Sequence, residues 1–243
     1  MYEIEKAIVS ACVVEDVTGF MNPNTQTRRT GKISFSYLVP AAEEIVLSEG
    51  NAIVEPQFHT RQARNPNETF DKGTIKAQSI FNVEIASALY VLSGYLDLHG
   101  ISLTSYHLPG LDKLLVSEDK RKGRILAALE ALWITVEHGI FGAKKHTFNP
   151  HYEVTSGVIV LSNSPFNVST PHKRAYIGNT IESADNLTGA VGDLKVEVFY
   201  FVNENQDTAY VPDVETKSSN VTITKLNSIS ELFKAVYERI NEL

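Results

Sequence analysis

A single cysteine, Cys12, is all that this 243-residue chain offers to thiol chemistry. One thiol excludes an intrachain disulfide framework and a cysteine-based zinc cluster. A reducing setting is expected, with Cys12 as a small buried apolar residue. Long apolar runs are missing too. Asn82 and Glu84 interrupt the best candidate, well short of the roughly 18 residues that a membrane helix needs. The opening MYEIEKAIVSACVVEDVTGF sets Glu3, Glu5 and Lys6 ahead of its apolar stretch, which is not the order of a secretory leader. A cytoplasmic protein is expected. Positive charge is also in deficit: 22 Lys and Arg against 29 Asp and Glu give a net charge of -7 and a pI near 5.5. Such a surface does not coat nucleic acid as a whole, so any nucleic-acid site must be a local patch.

Catalytic signatures are equally scarce. Ser10, Ser79 and Ser156 lack a GxSxG context, Asp16 and Asp185 have no partner at a recognisable spacing, and no glycine-rich phosphate loop is present. Of the seven histidines, His146 and His151 are separated by Pro150 in a spacing unlike HExxH or a zinc finger. The others, His59, His99, His107, His138 and His172, read as solvated or hydrogen-bonding side chains. The paired acids Glu43 and Glu44 read as a solvated helix face. The chain is therefore expected to be no enzyme, with no catalytic residue, no metal and no cofactor.

What is present is an ordinary globular composition, 43% apolar and 21% charged, with a mean hydropathy of -0.11. It suits one domain over residues 1–243, with excursions at 15–31 and 60–76. Lys32 to Val39 alternates, placing Ile33, Phe35, Tyr37 and Val39 on one face, as a half-buried strand would. Ala52 to Thr60 repeats the pattern, a short helix at Ala41 to Ser48 lies between them, and RQARNPNETFDKG is a polar loop. From Gln78, the residues Phe81, Val83, Ile85, Leu89, Val91 and Tyr95 recur at even separations. That spacing predicts a long strand, or two strands broken near Ser87.

Asp97 to Glu118 is punctuated by Gly100, Pro109 and Gly110 and reads as loop. Asp119 to His138 carries Ile125, Leu129, Leu132, Trp133 and Val136 on one helical stripe that Gly139 ends. Tyr152 to Leu161 is expected to be a central strand, Lys173 to Leu187 a helix, and Leu194 to Val202 another strand. Ser228 and Glu231 have capping-box spacing ahead of Leu232, Phe233, Val236 and Ile240. Strands and helices mix without regular alternation. The class is α+β, with a ferredoxin-like core as the natural architecture.

The remaining signal is basic: Arg28 and Arg29 with Lys32, Arg61 with Arg64, Lys120 to Lys122 with Arg124, Lys144 and Lys145 with His146, and His172 to Arg174. Each cluster alone is ordinary solvated surface. TQTRRTGK and GAKK differ in occupying turn-rich stretches that a nucleic-acid backbone could follow.

At these residues the chain resembles the backbone subunit of type I CRISPR surveillance complexes, the DevR-like branch of the RAMP superfamily. The matching segments are DVTGFMNPNTQTRRTGKISFSYLVP, KAQSIFNVEIASALYVLSGYLDLHGI, KRKGRILAALEALWITVEHGIFGAKKHTFNP and KVEVFYF, which together span most of residues 16–202. The resemblance implies an RRM-like core with a protruding thumb. It also implies side-by-side polymerisation along a CRISPR RNA, contacts with other complex subunits, and presentation of the guide for pairing with target DNA. It puts Arg28, Arg29 and Lys32 at the base of the thumb, and Lys144, Lys145 and His146 in a loop after the long helix, as RNA-backbone contacts. Arg61 joins that set. Gln78, Ser79 and Phe81 are expected to face the guide or a neighbouring subunit. Because the family opens with a strand and helix ahead of the GF-x-x-P segment, and only about fifteen residues precede it here, a core incomplete at its N-terminus is expected, with a sheet edge left for another polypeptide to pair. The alternatives are a DNA-binding autoregulator and an enzyme with an unrecognised pocket.

Overall fold

The computed structural model describes residues 1–41, 89–106, 109–110, 113–139, 152–203, 209, 216 and 218–243, together with the backbone of 54–62 and 78–86. Its helices are α1 (Tyr2–Ala11), α2 (Val13–Thr18), α3 (Glu118–His138), α4 (Tyr176–Ala190) and α5 (Ile229–Glu242). The strands are β1 (Phe20–Asn22), β2 (Thr27–Arg29), β3 (Ile33–Phe35), β4 (Val39–Pro40), β5 (Val54–Gln62), β6 (Gln78–Ala86), β7 (Tyr90–Val91), β8 (Gly94–Leu96), β9 (Ser156–Ser162), β10 (Val196–Val202) and β11 (Val221–Leu226). The fold is mixed α/β with several small sheets. Two compact units divide the chain, Met1–Tyr37 with Leu92–Leu243, and Leu38–Val91.

In the first unit the sequence of β10, VEVFYFV, is apolar on both faces, and both faces are buried. Val196 and Val198 enter a cluster with Tyr176, Ile177, Ile181 and Ala184 of α4, whereas Phe199 and Phe201 enter one with Ile125 and Leu129 of α3 and Leu232, Phe233, Val236 and Ile240 of α5. A strand with two apolar faces belongs in the middle of a sheet covered on both sides. The order is β11-β10-β9. β9 runs antiparallel to β10, from Val196 opposite Ser162 to Val202 opposite Ser156, and β11 runs parallel to it.

Local chemistry accounts for the helices. The Ser228 hydroxyl accepts from the Glu231 N–H at 3.2 Å, and the Glu231 carboxylate accepts from the Asn227 N–H at 3.0 Å, a capping box whose return bond reaches one residue further back. All four predicted apolar positions of α5 are buried. α3 stops where Gly139 takes up a left-handed conformation, φ 53°. Between α3 and α5, Trp133 stacks on Phe233 with ring centroids 6.1 Å apart. On the opposite face of the sheet, burial pushes the phenol of Tyr176 up to about 12, so it stays a neutral donor to Ser156 Oγ at 3.0 Å.

The second unit holds a nine-residue antiparallel ladder, Val54 opposite Ala86 through to Gln62 opposite Gln78, and the short pair β4–β7. Strands were expected in both stretches, and β6 and β7 are separate, the first ending at Ala86 and the second starting at Tyr90. The helix expected at 41–48 and the polar loop expected at 61–73 fall almost wholly outside the described residues, except that Arg61 and Gln62 at the start of that loop belong to β5 instead.

Several expectations are corrected. Lys32 to Val39 is not one half-buried strand: only Ile33–Phe35 and Val39–Pro40 are extended in ladders, and Phe35 and Tyr37 are 52% and 89% exposed. The strand expected from Tyr152 begins at Ser156 and is an edge strand among the described residues, since β10 takes the central place. Cys12 is half-buried at the junction of α1 and α2 rather than in the core. The helices α1 and α2 and the strand β11 were not anticipated.

Candidate nucleic-acid interface

Residues 20–29 form a hairpin, with Phe20 opposite Arg29, Met21 opposite Arg28 and Asn22 opposite Thr27. Asn22 starts its turn by accepting the Asn24 N–H at 3.1 Å. Two glycines close its base. Gly19 has φ 79°, and a Cβ there would lie 2.5 Å from the Arg29 carbonyl oxygen; one on Gly31 would lie 2.7 Å from the Thr18 carbonyl oxygen. No other residue permits strands to approach so closely at a left-handed position.

Strand alternation then separates the two arginines. Arg28 shares the exposed face with Met21, which is 75% exposed, while Thr27 and Arg29 are buried. The guanidinium of Arg29 donates from Nη1 to Glu5 Oε1 at 2.9 Å and to the Leu103 carbonyl at 2.7 Å. From Nη2 it donates to Asp16 Oδ1 at 2.6 Å and to the Gly100 carbonyl at 3.1 Å, and from Nε to the Asp16 carbonyl at 3.2 Å. A guanidinium has five N–H donors, and all five are used. Arg29 has none left for a phosphate, so the structure makes it an internal anchor, contrary to its expected role as an RNA contact.

The carboxylates around Arg29 are equally well served. Asp16 accepts from Arg29, from Arg124 Nη1 at 2.8 Å, and from the N–H and hydroxyl of Ser102 at 3.0 and 2.8 Å. Glu5 accepts from Arg29, from the Thr104 hydroxyl at 2.7 Å and from the Ser105 N–H at 3.0 Å. Burial alone would raise both carboxyls. For Asp16, bonds from Arg124 and Ser102 and the charge of Arg29 outweigh it; for Glu5, bonds from Thr104, Ser105 and Arg29 do so. Both are held below their ordinary values. Ser102 adopts φ 62° to present its donors, a conformation uncommon outside glycine and asparagine. Asp16, which has no recognisable catalytic partner by sequence spacing, has a side chain with no solvent exposure and serves this network.

Basic residues of α3 extend the anchor. Arg121 Nε donates to the Ile101 carbonyl at 3.0 Å and Arg124 Nη1 to the Val9 carbonyl at 2.8 Å, so half of a cluster that reads as solvated surface pins the 98–102 loop and α1. Lys32 stands differently. Its backbone closes the hairpin base, donating to the Val17 carbonyl at 2.7 Å, and its ammonium lies 3.9 Å from Asp97 with partial exposure.

Arg61, Gln78, Ser79 and Phe81 belong to the β5–β6 ladder, where the register sets Arg61 opposite Ser79, Gln62 opposite Gln78 and His59 opposite Phe81. Lys144, Lys145 and His146 lie outside the described residues. Among the described residues no group of three His, Cys, Asp or Glu side chains is placed to hold a metal, and no helix is long and apolar enough to cross a membrane. Sequence reading missed Glu5, Ser102, Thr104 and Arg124. The available signal was the adjacency of Arg28 and Arg29 in a strand, which obliges one of them to point inward.

A model of the family described as the CRISPR-associated negative auto-regulator DevR/Csa2 matches residues 1–181. The chain belongs to that family. It is 33% identical over 213 residues to the CRISPR-associated protein Cas7/Csa2 1 of Saccharolobus solfataricus, covering 86% of this chain and 63% of that protein. It is 30% identical to the aCascade subunit Cas7/Csa2 2 of the same organism, covering 95% of this chain and 65% of that protein. The chain thus spans less than two thirds of the length of either relative. A chain of a solved CRISPR RNA-guided surveillance complex superposes with a TM-score of 0.49 at 13% identity, covering 98% of this chain and 81% of that one.

Proposed function

We propose that this chain acts as a CRISPR RNA-binding backbone subunit of a type I interference complex, without catalytic activity of its own, in the cytoplasm. The observation that carries the reading is family membership over residues 1–181, which takes in the whole hairpin and the buried anchor beneath it. In this role copies of the chain line up along the guide, contact other subunits of the complex and present the guide for pairing with target DNA. Arg28 and Lys32 supply positive charge on the hairpin and at its base. Arg61, Gln78, Ser79 and Phe81 on the ladder, and Lys144, Lys145 and His146 beyond α3, supply further contacts. Lys and Arg suit phosphate rather than base edges, so binding depends little on sequence. The β9–β11 sheet with α4 and α5 represents part of an RRM-like core on this reading, although its parallel β10–β11 pair is not an element of an all-antiparallel ferredoxin-like sheet.

A second reading follows from the family's description as a negative auto-regulator: binding of duplex DNA. One experiment separates the two. Purified chain is titrated at low salt with a single-stranded RNA and, in parallel, with a DNA duplex of equal length. Preference for the RNA is expected, with Lys144→Ala/Lys145→Ala weakening it and leaving the thermal transition in place; preference for the duplex, or no RNA binding, would overturn the first reading.

A further inference from the structure

β3 and β8 form a two-stranded ribbon in which Ile33 lies opposite Leu96, Ser34 opposite Tyr95 and Phe35 opposite Gly94. Residues directly opposite in an antiparallel pair share a face. Ile33, Leu96, Phe35 and Gly94 therefore make one face, and the chain itself accounts for its side chains. Ile33 and Leu96 pack against the cluster of α3 and α5, and Phe35 lies across Gly94, where a Cβ would come within 3.0 Å of Phe35 Cδ1. The other face carries Tyr95, 47% exposed, among small neighbours. Ser34 is opposite it, and one rung beyond Gly94 stand Ser36 and Ser93, the Ser36 N–H donating to the Ser93 carbonyl at 2.8 Å. Cross-strand packing sets a ring against another ring or a branched side chain. Three serines cannot cover the ring of Tyr95.

A cation shares that face. Lys32 occupies the rung before β3, where its carbonyl accepts the Asp97 N–H at 2.8 Å, and its ammonium lies 3.9 Å from Asp97 Oδ2. Lys32 and Asp97 are thus on one side of the ribbon, and strand alternation returns Tyr95, two residues from Asp97, to the same side. Asp97 is held from elsewhere, its Oδ1 accepting the Gly100 N–H at 2.8 Å. At 3.9 Å the Lys32 ammonium is attracted to Asp97 without a hydrogen bond, and among the described residues its donors meet no acceptor. An open ring beside such an ammonium matches one nucleotide of a single strand: a π-face for the base and a cation for the adjoining phosphate. A duplex presents no free base face. We infer that Tyr95 stacks on a base of single-stranded RNA whose adjoining phosphate lies on Lys32. The assignment rests on the RNA-binding reading, to which it adds a base contact beside the phosphate contacts. Every base has a π-face, so this contact adds affinity without imposing a sequence.

The test titrates the parent chain and Tyr95→Ala at low salt with a single-stranded RNA and with an abasic strand of the same length, which keeps the phosphates and lacks the rings. On RNA, Tyr95→Ala should bind at least about fivefold more weakly, the lower end of what one stacked base contributes. On the abasic strand the two should bind alike, and the salt slope on RNA should not change, because no charge has been removed. Lys32→Ala should do the converse, losing affinity equally on both strands and reducing the log-log salt slope by about 0.7. Tyr95→Trp, with a larger π-face, should bind RNA at least as tightly as the parent. Circular dichroism checks that each variant is folded. As a readout that needs no variant, RNA containing 4-thiouridine should photo-cross-link to the peptide that holds Tyr95. If the parent binds RNA but Tyr95→Ala binds it equally well, or loses as much on the abasic strand, or if no cross-link reaches that peptide, the stacking role is overturned and the RNA-binding reading stands. A parent that binds neither strand overturns that reading and the stacking role with it.

Discussion

Two parts of the first unit are held together by opposite means. Around β10, Val196, Val198, Ile177, Ile181 and Leu232 are removed from water with scarcely a polar atom among them, and the hydrophobic effect does the stabilising. At the hairpin base, Glu5, Asp16 and Arg29 are just as deeply buried, yet what is buried is charge, acceptable only because every donor and acceptor is matched. The difference teaches how each part tolerates change. An apolar core can lose a methylene and relax. A closed polar network relaxes less easily, because removing one member leaves the buried charge of the others under-compensated.

The largest expected effect is therefore on the polar side. Arg29→Met should lower unfolding stability by about 3–5 kcal/mol, the usual cost of stranding buried carboxylates, seen as a lower denaturant midpoint. Removing both acids together with Arg29 should recover part of that loss, which comparison of the triple variant with Arg29→Met reads directly. Leu232→Ala, at a side chain only 1% exposed, should cost about 2–5 kcal/mol through lost burial and the cavity left between α5 and the sheet. The two should differ in their response to pH. Glu5 and Asp16 are held below ordinary carboxyl values in the folded chain, so the stability they contribute is complete only above those ordinary values, from about pH 5 upward, and is lost as pH falls through their lowered folded values. Acid titration of the parent should show that loss, and the Leu232→Ala chain should show the same acid slope from a lower plateau.

A smaller effect tests the capping box. Ser228→Ala should cost about 1 kcal/mol, because the Glu231 N–H loses its acceptor at the start of α5. Smallest of all is Arg28→Ala, expected to change stability by no more than about 0.5 kcal/mol as an exposed strand substitution. Adjacent arginines would then differ several-fold in their effect on folding while only the outward one affects RNA binding.

Much of the apolar architecture was legible from periodicity. The helix after Ser117, the strand around Val198 and the cap at Ser228 are each written in a local pattern that burial then satisfies, and the strand around Phe81 is written in its alternation. The N-terminal helices were not legible, because Glu5 and Asp16 interrupt any clean apolar stripe; these acids face inward, toward Arg29, where a stripe rule expects leucine. The exposed face of Phe35 and Tyr37 misled in the opposite sense, since alternation reports two unlike faces but not which one meets water. Arg28 and Arg29 look alike as letters. Their opposite roles follow from strand geometry and from the position of Glu5, 24 residues away in sequence, which becomes visible only once α1 and the hairpin are in place.

The most direct test of the account is the salt dependence of single-stranded RNA affinity, measured for the parent chain and for Arg28→Ala. About four neutralised phosphates should give a log-log slope near -3, at roughly -0.7 for each contact, and Arg28→Ala should weaken binding and reduce the slope by about 0.7. A flat salt response in the parent, or a slope and affinity unmoved by Arg28→Ala, would contradict the assignment of the hairpin's outward face to RNA.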